Sequence, residues 1–423
     1  MSHSFPGSDD IVRAELPNGV VILSRANFYS PAVVINGYLV VGSLLDQPEQ
    51  LGLASFTASA LLRGTVQHSF QGFYELLESV GASLNFDGGT HSTTFTGQAL
   101  AEDFGLLLNM LADGLRNPIF PPAEIERLRS QILAGLAIRD QDTAFMAGLA
   151  FDGIIYADHP YSRPDEGYIE TVQSIRPEDL ATFHQQTFGP RGLVIAVVGG
   201  IDPSRAVDQV AQALGDWHNP GQPILPVLPR VKPLNEQTIR RVKIPGKAQA
   251  DLVLGAAGPA RLAADFVAAN IGNNILGQFG MMGRIGEIVR EQAGLAYYAG
   301  SSLGGGLGPG PWEVSAGVDP QAVEHAIELI RREIRRFVSE PVSDDELTDT
   351  QAQFMGSLPL SLESNYGVAN ALIHLERYQL GLDYYRNYAR LIQSVTKEDV
   401  LQAAQHYLNP DRLGIGIAGP DTV

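Results

Sequence analysis

The sequence predicts an α+β protein of two homologous domains arising from an internal duplication, with mainly antiparallel sheets. Three observations carry that expectation: a repeat, a proline-spaced connector, and strand and helix runs without strict strand–helix–strand alternation. Residues 168–199 and 388–419 align at a constant offset of 220 without a gap, and ten of those 32 positions are identical. They include Tyr168/Tyr388, Gln173/Gln393, Glu178/Glu398, Asp179/Asp399, Pro190/Pro410 and Gly199/Gly419. In each copy Ser174 or Ser394 precedes a Glu-Asp pair and an apolar-periodic run, which predicts a capped helix. A proline stop and a short apolar strand follow, at 193–198 and 413–418. Between the copies, Pro220, Pro223, Pro226 and Pro229 recur every third residue, with Pro233 beyond. That spacing favours an extended connector over 219–235. Domains are expected at 1–218 and 236–423.

Within the first domain the pattern reads as strands at 20–24 and 32–41, then a helix near 52–63. Strands at 82–86 and 93–99 and a helix at 103–115 follow. A turn at 117–122 leads into a long helix from about residue 123. The second domain reads as a strand at 251–255, helices at 263–276 and 284–291, and strands at 295–302 and 312–318. A helix at 321–338, a turn at 340–341 and a helix from about 345 complete it.

Composition excludes several classes. Of 423 residues, 44% are hydrophobic and only 18% charged, which rules out a disordered or fibrous chain. The 29 Lys and Arg against 47 Asp and Glu give a formal charge of −18. A field of that sign repels phosphate backbones and anionic lipids, so neither nucleic acid nor membrane is an expected partner. With no cysteine there is no disulfide framework, thiol nucleophile or Cys-ligated metal. Residues 1–7 carry no basic start and no apolar run, so the reading expects no signal peptide and a cytoplasmic protein.

Two motifs fail on inspection. Gly300 to Gly304 matches G-x-S-x-G, but a nucleophile elbow needs a helix directly after the serine. Here Gly305, Gly306, Gly308, Pro309, Gly310 and Pro311 follow, which predicts a turn between strands; the same glycines hold no phosphate for want of a helix N-terminus. The nine histidines, from His3 to His406, include no pair spaced by two, three or four residues, so no local metal pair exists.

The segment from Gly52 to Thr65 reads G-L-A-S-F-T-A-S-A-L-L-R-G-T. Together with the duplication, it resembles the pitrilysin, insulysin and mitochondrial-processing-peptidase superfamily of inverted-motif zinc peptidases. The resemblance covers most of the chain. Active members carry G-L-A-H-x-x-E-H followed by G-T, with two histidines binding zinc and the glutamate as general base. This chain has Ser55 and Ser59 at the histidine positions and Ala58 at the glutamate. The family's third ligand, a glutamate further along, would fall near Gly135 or Leu136. No carboxylate lies between Glu126 and Asp140. The resemblance thus implies a degenerate box, with no metal ligand in this chain. Asp158-His159-Pro160-Tyr161 with Gly167 is similar to the family's H-P-Y segment, which makes His159 architectural.

In the second half, Arg284 to Tyr298 reads R-I-G-E-I-V-R-E-Q-A-G-L-A-Y-Y, similar to the family's R-E-x-x-G-L-x-Y segment. Its arginine and tyrosine, here Arg290 and Tyr297, reach the catalytic centre in the family; Tyr298 is the alternative if the register slips by one. The glycines of the 277–283 stretch occupy roughly the place of the non-catalytic subunit's glycine-rich loop, which makes Gly280 and Gly283 candidate substrate contacts. Turn chemistry alone explains them equally well. The resemblance implies two related domains, each a mainly antiparallel sheet packed against helices, and assembly with a homologous chain around a peptide-sized chamber. The expected function is the non-zinc-binding subunit of a heterodimeric zinc metallopeptidase, with zinc in an H-x-x-E-H partner and a peptide as substrate. The alternatives are a catalytically silent scaffold or peptide-binding module and, more remotely, an independent zinc peptidase with unconventional ligands.

Overall fold

The structure, a computed structural model, describes residues 5–420; His3 and the first part of the 1–7 stretch lie outside it. The first half begins with β1 (Val12–Glu15), β2 (Val21–Ala26) and β3 (Ala32–Leu39). Then come α1 (Leu53–Ala60), α2 (Phe70–Ser79), β4 (Ser83–Gly88) and β5 (Thr93–Leu100). Helices α3 (Phe104–Arg116), α4 (Pro122–Arg139), α5 (Thr143–Ile155), α6 (Ile169–Ser174) and α7 (Pro177–Thr187) lead to β6 (Val194–Gly199) and α8 (Pro203–Leu214). The second half opens with β7 (Thr238–Lys243), β8 (Ala250–Ala257), α9 (Phe266–Gly277) and α10 (Phe279–Gly286). A π-helical turn at Glu287–Gln292 joins α10 to β9 (Ala296–Gly305) and β10 (Pro309–Val318). Helices α11 (Val323–Phe337), α12 (Asp344–Ser361), α13 (Asn365–Arg377), α14 (Tyr384–Gln393) and α15 (Lys397–Tyr407) precede β11 (Gly414–Gly419).

Two sheets form. The first has the order β1-β2-β6-β3-β5-β4 and the second β7-β11-β8-β10-β9. In each, one pair is parallel (β2–β6 and β7–β11) and every other pair is antiparallel. The second sheet repeats the first strand for strand apart from β1, so the duplication visible in the sequence is a duplication of topology. Strands β6 and β11 are buried along their whole length, which explains why these two apolar runs read most clearly.

The chain divides into two compact units that interleave the halves. One takes the chain up to Leu136, Pro164–Val227 and Leu358–Asn387; the other takes Ala137–Arg163, Leu228–Ser357 and the chain from Tyr388 on. Helix α13, from the second half, covers one face of the first sheet, where Val368, Leu372 and Leu375 pack with Leu23, Val34 and Ala196. Helix α5, from the first half, covers the second sheet, where Ala147, Phe151 and Ile155 pack with Val253 and Ala418. Gly416 permits that approach: a Cβ there would stand 2.1 Å from the Ala147 carbonyl oxygen. The opposite faces carry the larger cores. Phe56, Phe73, Phe95 and Phe104 are buried in the first, and Trp312 meets Phe337 edge-to-face at 6.3 Å in the second.

The repeat's capping differs from expectation in one detail. Ser174 and Ser394 bond back to the Thr171 and Leu391 carbonyls at 2.7 and 2.8 Å, so each ends a preceding helix. The following helices are capped by the aspartates of the Glu-Asp pairs, which accept from the Arg176 and Thr396 backbone N–H groups at 2.7 and 2.9 Å. Ser302 of the G-x-S-x-G match lies inside β9, its hydroxyl 3.1 Å from the Glu313 carboxylate, and β9 turns directly into β10.

Candidate functional site

Ser55, Ala58 and Ser59 lie on α1 in the first unit. Their helix cannot cap itself, because Gly52 at the N-cap has no side chain. The buried Asp46 supplies the missing acceptor: its carboxylate takes the N–H groups of Gly52 and Ala54, each at 2.9 Å. Burial pushes the Asp46 carboxyl up to about 7, against the opposing pull of the Ala54 and Gly52 N–H groups. Gly52 itself has φ +94°, and a Cβ there would lie 2.5 Å from the Glu166 carbonyl oxygen. On the other flank, a Cβ at Gly88 of β4 would stand 2.7 Å from Ser55 Cα and 3.2 Å from Ala58 Cβ. The helix is thus clasped between two backbones, with Ala58 buried, Ser55 half-buried and Ser59 exposed.

Those side chains do not fit a zinc ion. Two neutral hydroxyls and a methyl offer no imidazole, thiolate or carboxylate to hold the metal. Of the third positions, Gly135 is an exposed glycine of α4 and Leu136 is buried in the core. Among the described residues no three His, Asp or Glu side chains gather as a metal site. His159 is buried, its Nδ1 accepting the Tyr161 N–H at 3.1 Å, and burial lowers its pKa.

Arg290, Tyr297, Gly280 and Gly283 belong to the second unit. Arg290 sits in the π-helical turn, where its guanidinium is 3.6 Å from the neighbouring Glu291. Tyr297 is 87% exposed. In the β9–β10 ladder Ala296 pairs with Val318 and Tyr298 with Gly317, so Tyr297 is the extra residue of a bulge. Both candidates therefore occupy local irregularities, devices that re-aim side chains and recur at functional sites. Tyr298 is committed elsewhere: its hydroxyl donates to the Asp251 carboxylate at 2.6 Å, and burial, then that bond, raises its pKa. Thr143 and Gln249 also donate to Asp251.

Gly280 and Gly283 line a cleft of about 420 Å³ with Phe279, Arg284, Glu287 and Asp349. The expected helix from 284 begins instead at Phe279. Gly283, at φ +61°, lets α10 fold against the end of α9, where a Cβ would meet the Ile275 carbonyl oxygen at 2.6 Å. Arg284 is fixed by two carboxylates missed in the sequence: Glu346, bidentate at 2.6 and 2.7 Å, and Glu333 at 3.4 Å. Burial opposes the charge of Glu346, but Arg284 and the Ser343 N–H outweigh it and hold the carboxyl down to about 2. The wide separation of Arg284 from Glu333 and Glu346 in sequence left no local signal for this network.

Comparison with known proteins accounts for both halves. The family described as "Insulinase (Peptidase family M16)" matches residues 21–146, and "Peptidase M16 inactive domain" matches residues 174–354. A Streptomyces coelicolor protein described as an uncharacterized zinc protease is 26% identical over 422 residues, spanning 98% of this chain and 90% of that one. A Helicobacter pylori protein described as a non-peptidase homolog is 25% identical over 403 residues, 92% and 89% of the two chains. The crystal structure of a peptidase M16 inactive domain from Pseudomonas fluorescens superposes with a TM-score of 0.89 at 25% identity, covering 97% of this chain and 98% of that one. The chain belongs to the M16 peptidase family.

Proposed function

We propose that this chain is the zinc-free subunit of a heterodimeric metallopeptidase that cleaves peptides in the cytoplasm. The partner is a homologous chain with an intact H-x-x-E-H, which supplies zinc, its ligands and the general base. This chain supplies Arg290 and Tyr297 to the shared site, and Gly280 and Gly283 to the surface met by substrate. The observation that carries the reading is the coexistence of an emptied zinc helix with an intact Arg–Tyr segment whose tyrosine is exposed on a bulge. Had the chain merely decayed, nothing would favour keeping an exposed aromatic there.

Chemically the pair is an electrophilic clamp. A permanently charged guanidinium and a neutral phenol both donate to a carbonyl oxygen as it gains negative charge. One such donor is worth about 10²–10³ in rate. Cleavage of a quenched fluorescent peptide should occur in an equimolar mixture with the H-x-x-E-H homologue and not with either chain alone. Arg290→Ala and Tyr297→Phe should leave the complex assembled and lower turnover by about 10²–10³. Unchanged turnover in an assembled variant would sink the shared site.

A second reading, a silent scaffold or peptide-binding homologue, has its own support. Arg290 lies near its own neighbour Glu291, and one relative is described as a non-peptidase homolog. A homologue fully active alone, with nothing added by this chain, selects it.

A further inference from the structure

The first unit holds a second cleft, of about 470 Å³, that none of the motifs involves. One wall is α13, where Tyr366, Asn370, His374 and Arg377 follow at spacings of four, four and three and so form one stripe. The other wall is the face of β5 and β4 beyond the reach of α13. Register places Tyr38, Thr94 and Asp87 in one cross-strand row and Asn36, Thr96 and Asn85 in the next. Cross-strand partners share a face, so this shelf is polar throughout.

Arg377 is the uncommon member. Its guanidinium stacks 4.1 Å from the centre of the Tyr38 ring and donates to the Ser92 hydroxyl at 2.9 Å. Its Nε is buried without a hydrogen-bond partner, and no carboxylate pairs with it among the described residues. A guanidinium held in a fixed place without a counter-ion is a carboxylate receptor. Across the cleft Asp87 supplies the opposite charge, two strands from Tyr38 and so roughly 10 Å away. One cation, one anion and neutral amide and hydroxyl groups between them complement a zwitterion with peptide groups in its middle.

We propose that this cleft binds a free amino acid or short peptide by its termini, the carboxylate at Arg377 and the ammonium at Asp87. Asn85, Thr94 and Thr96 serve the backbone between, and the half-exposed Tyr366 covers a side chain at the lip. The site needs neither a partner chain nor turnover, so its test is independent of the shared-peptidase reading.

Calorimetric titration of the full chain with Ala-Ala, Ala-Ala amide and N-acetyl-Ala-Ala tests it. Ala-Ala should bind saturably, and each capped form should bind about tenfold or more weakly. Arg377→Gln should abolish the preference for the acid over the amide. Asp87→Asn, an exposed change that leaves the fold intact, should abolish the preference for the free over the acetylated amine. If Arg377→Gln fails to fold, the acid-against-amide comparison on the unaltered chain decides. Equal binding of acid and amide, or no saturable binding of Ala-Ala up to about 10 mM, overturns the proposal.

Discussion

Asp152 stands where a carboxylate is costly. It lies on α5 against the second sheet, and burial, with the nearby Glu313 charge adding to it, pushes its carboxyl up to about 7. The native state therefore holds its proton to higher pH than the unfolded chain, whose carboxyl titrates near 3.8. Stability from this group is complete below that value and lost as pH rises through about 7. Asp152→Asn cannot ionise, so its advantage over the parent should be small near pH 4 and grow to at most about 4 kcal/mol by neutrality. Denaturant unfolding of both proteins across that range checks this; a gap that shrinks with rising pH would falsify the assignment. Such residues were not legible beforehand, because what distinguishes Asp152 from any other helical aspartate is its burial in the fold, to which Glu313, far along the chain, adds. Arg290 and Tyr297 could be named as candidates for the opposite reason, since their spacing lies within one short segment. The backbone then separates Tyr297 from Tyr298 by giving the latter to Asp251.

Helix α1 is held by its neighbours and not by a cap of its own: Asp46 at its N-terminus, Gly52 against the Glu166 carbonyl, and Gly88 against its face. Asp46→Ala frees two buried N–H groups and should cost about 1–3 kcal/mol. Gly88→Ala places a methyl where Ser55 Cα is 2.7 Å away and should cost about 1–3 kcal/mol through displacement of α1 from β4. Thermal unfolding measures both, and a Gly88→Ala variant as stable as the parent would mean the helix rides loosely on the strand. Elements of this kind, apolar and bounded by Gly or Pro, were readable in the sequence; β2 to β6 and β8 to β11 all fall near their expected places. The edge strands β1 and β7 were not. Their residues are mostly exposed, so they show no alternation of apolar and polar side chains for periodicity to find.

Over the whole molecule, the duplicated halves are not self-sufficient. Thr143–Ile155 and Asn365–Arg377 are equal-length helices 222 residues apart, and each covers the sheet of the other half. No sequence pattern announces an exchange, since an apolar helix face looks the same whichever sheet it meets; the repeat and the connector suggested two consecutive domains, and the compact units instead draw on both halves. The consequence is energetic. Without α13, the first sheet loses cover from Val368, Leu372 and Leu375, roughly 5–9 kcal/mol at the usual worth of a buried side chain. A whole domain is typically stable by only about 5–15 kcal/mol. Fragments 1–218 and 236–423 expressed separately should therefore be molten or aggregated, with weak near-ultraviolet dichroism and no cooperative melt. Co-expressed, they should recover a single soluble species, because each supplies the helix the other lacks. A cooperative, monomeric fold in either fragment alone would show that the exchanged helices are dispensable cover, and that the duplication still works as two independent domains.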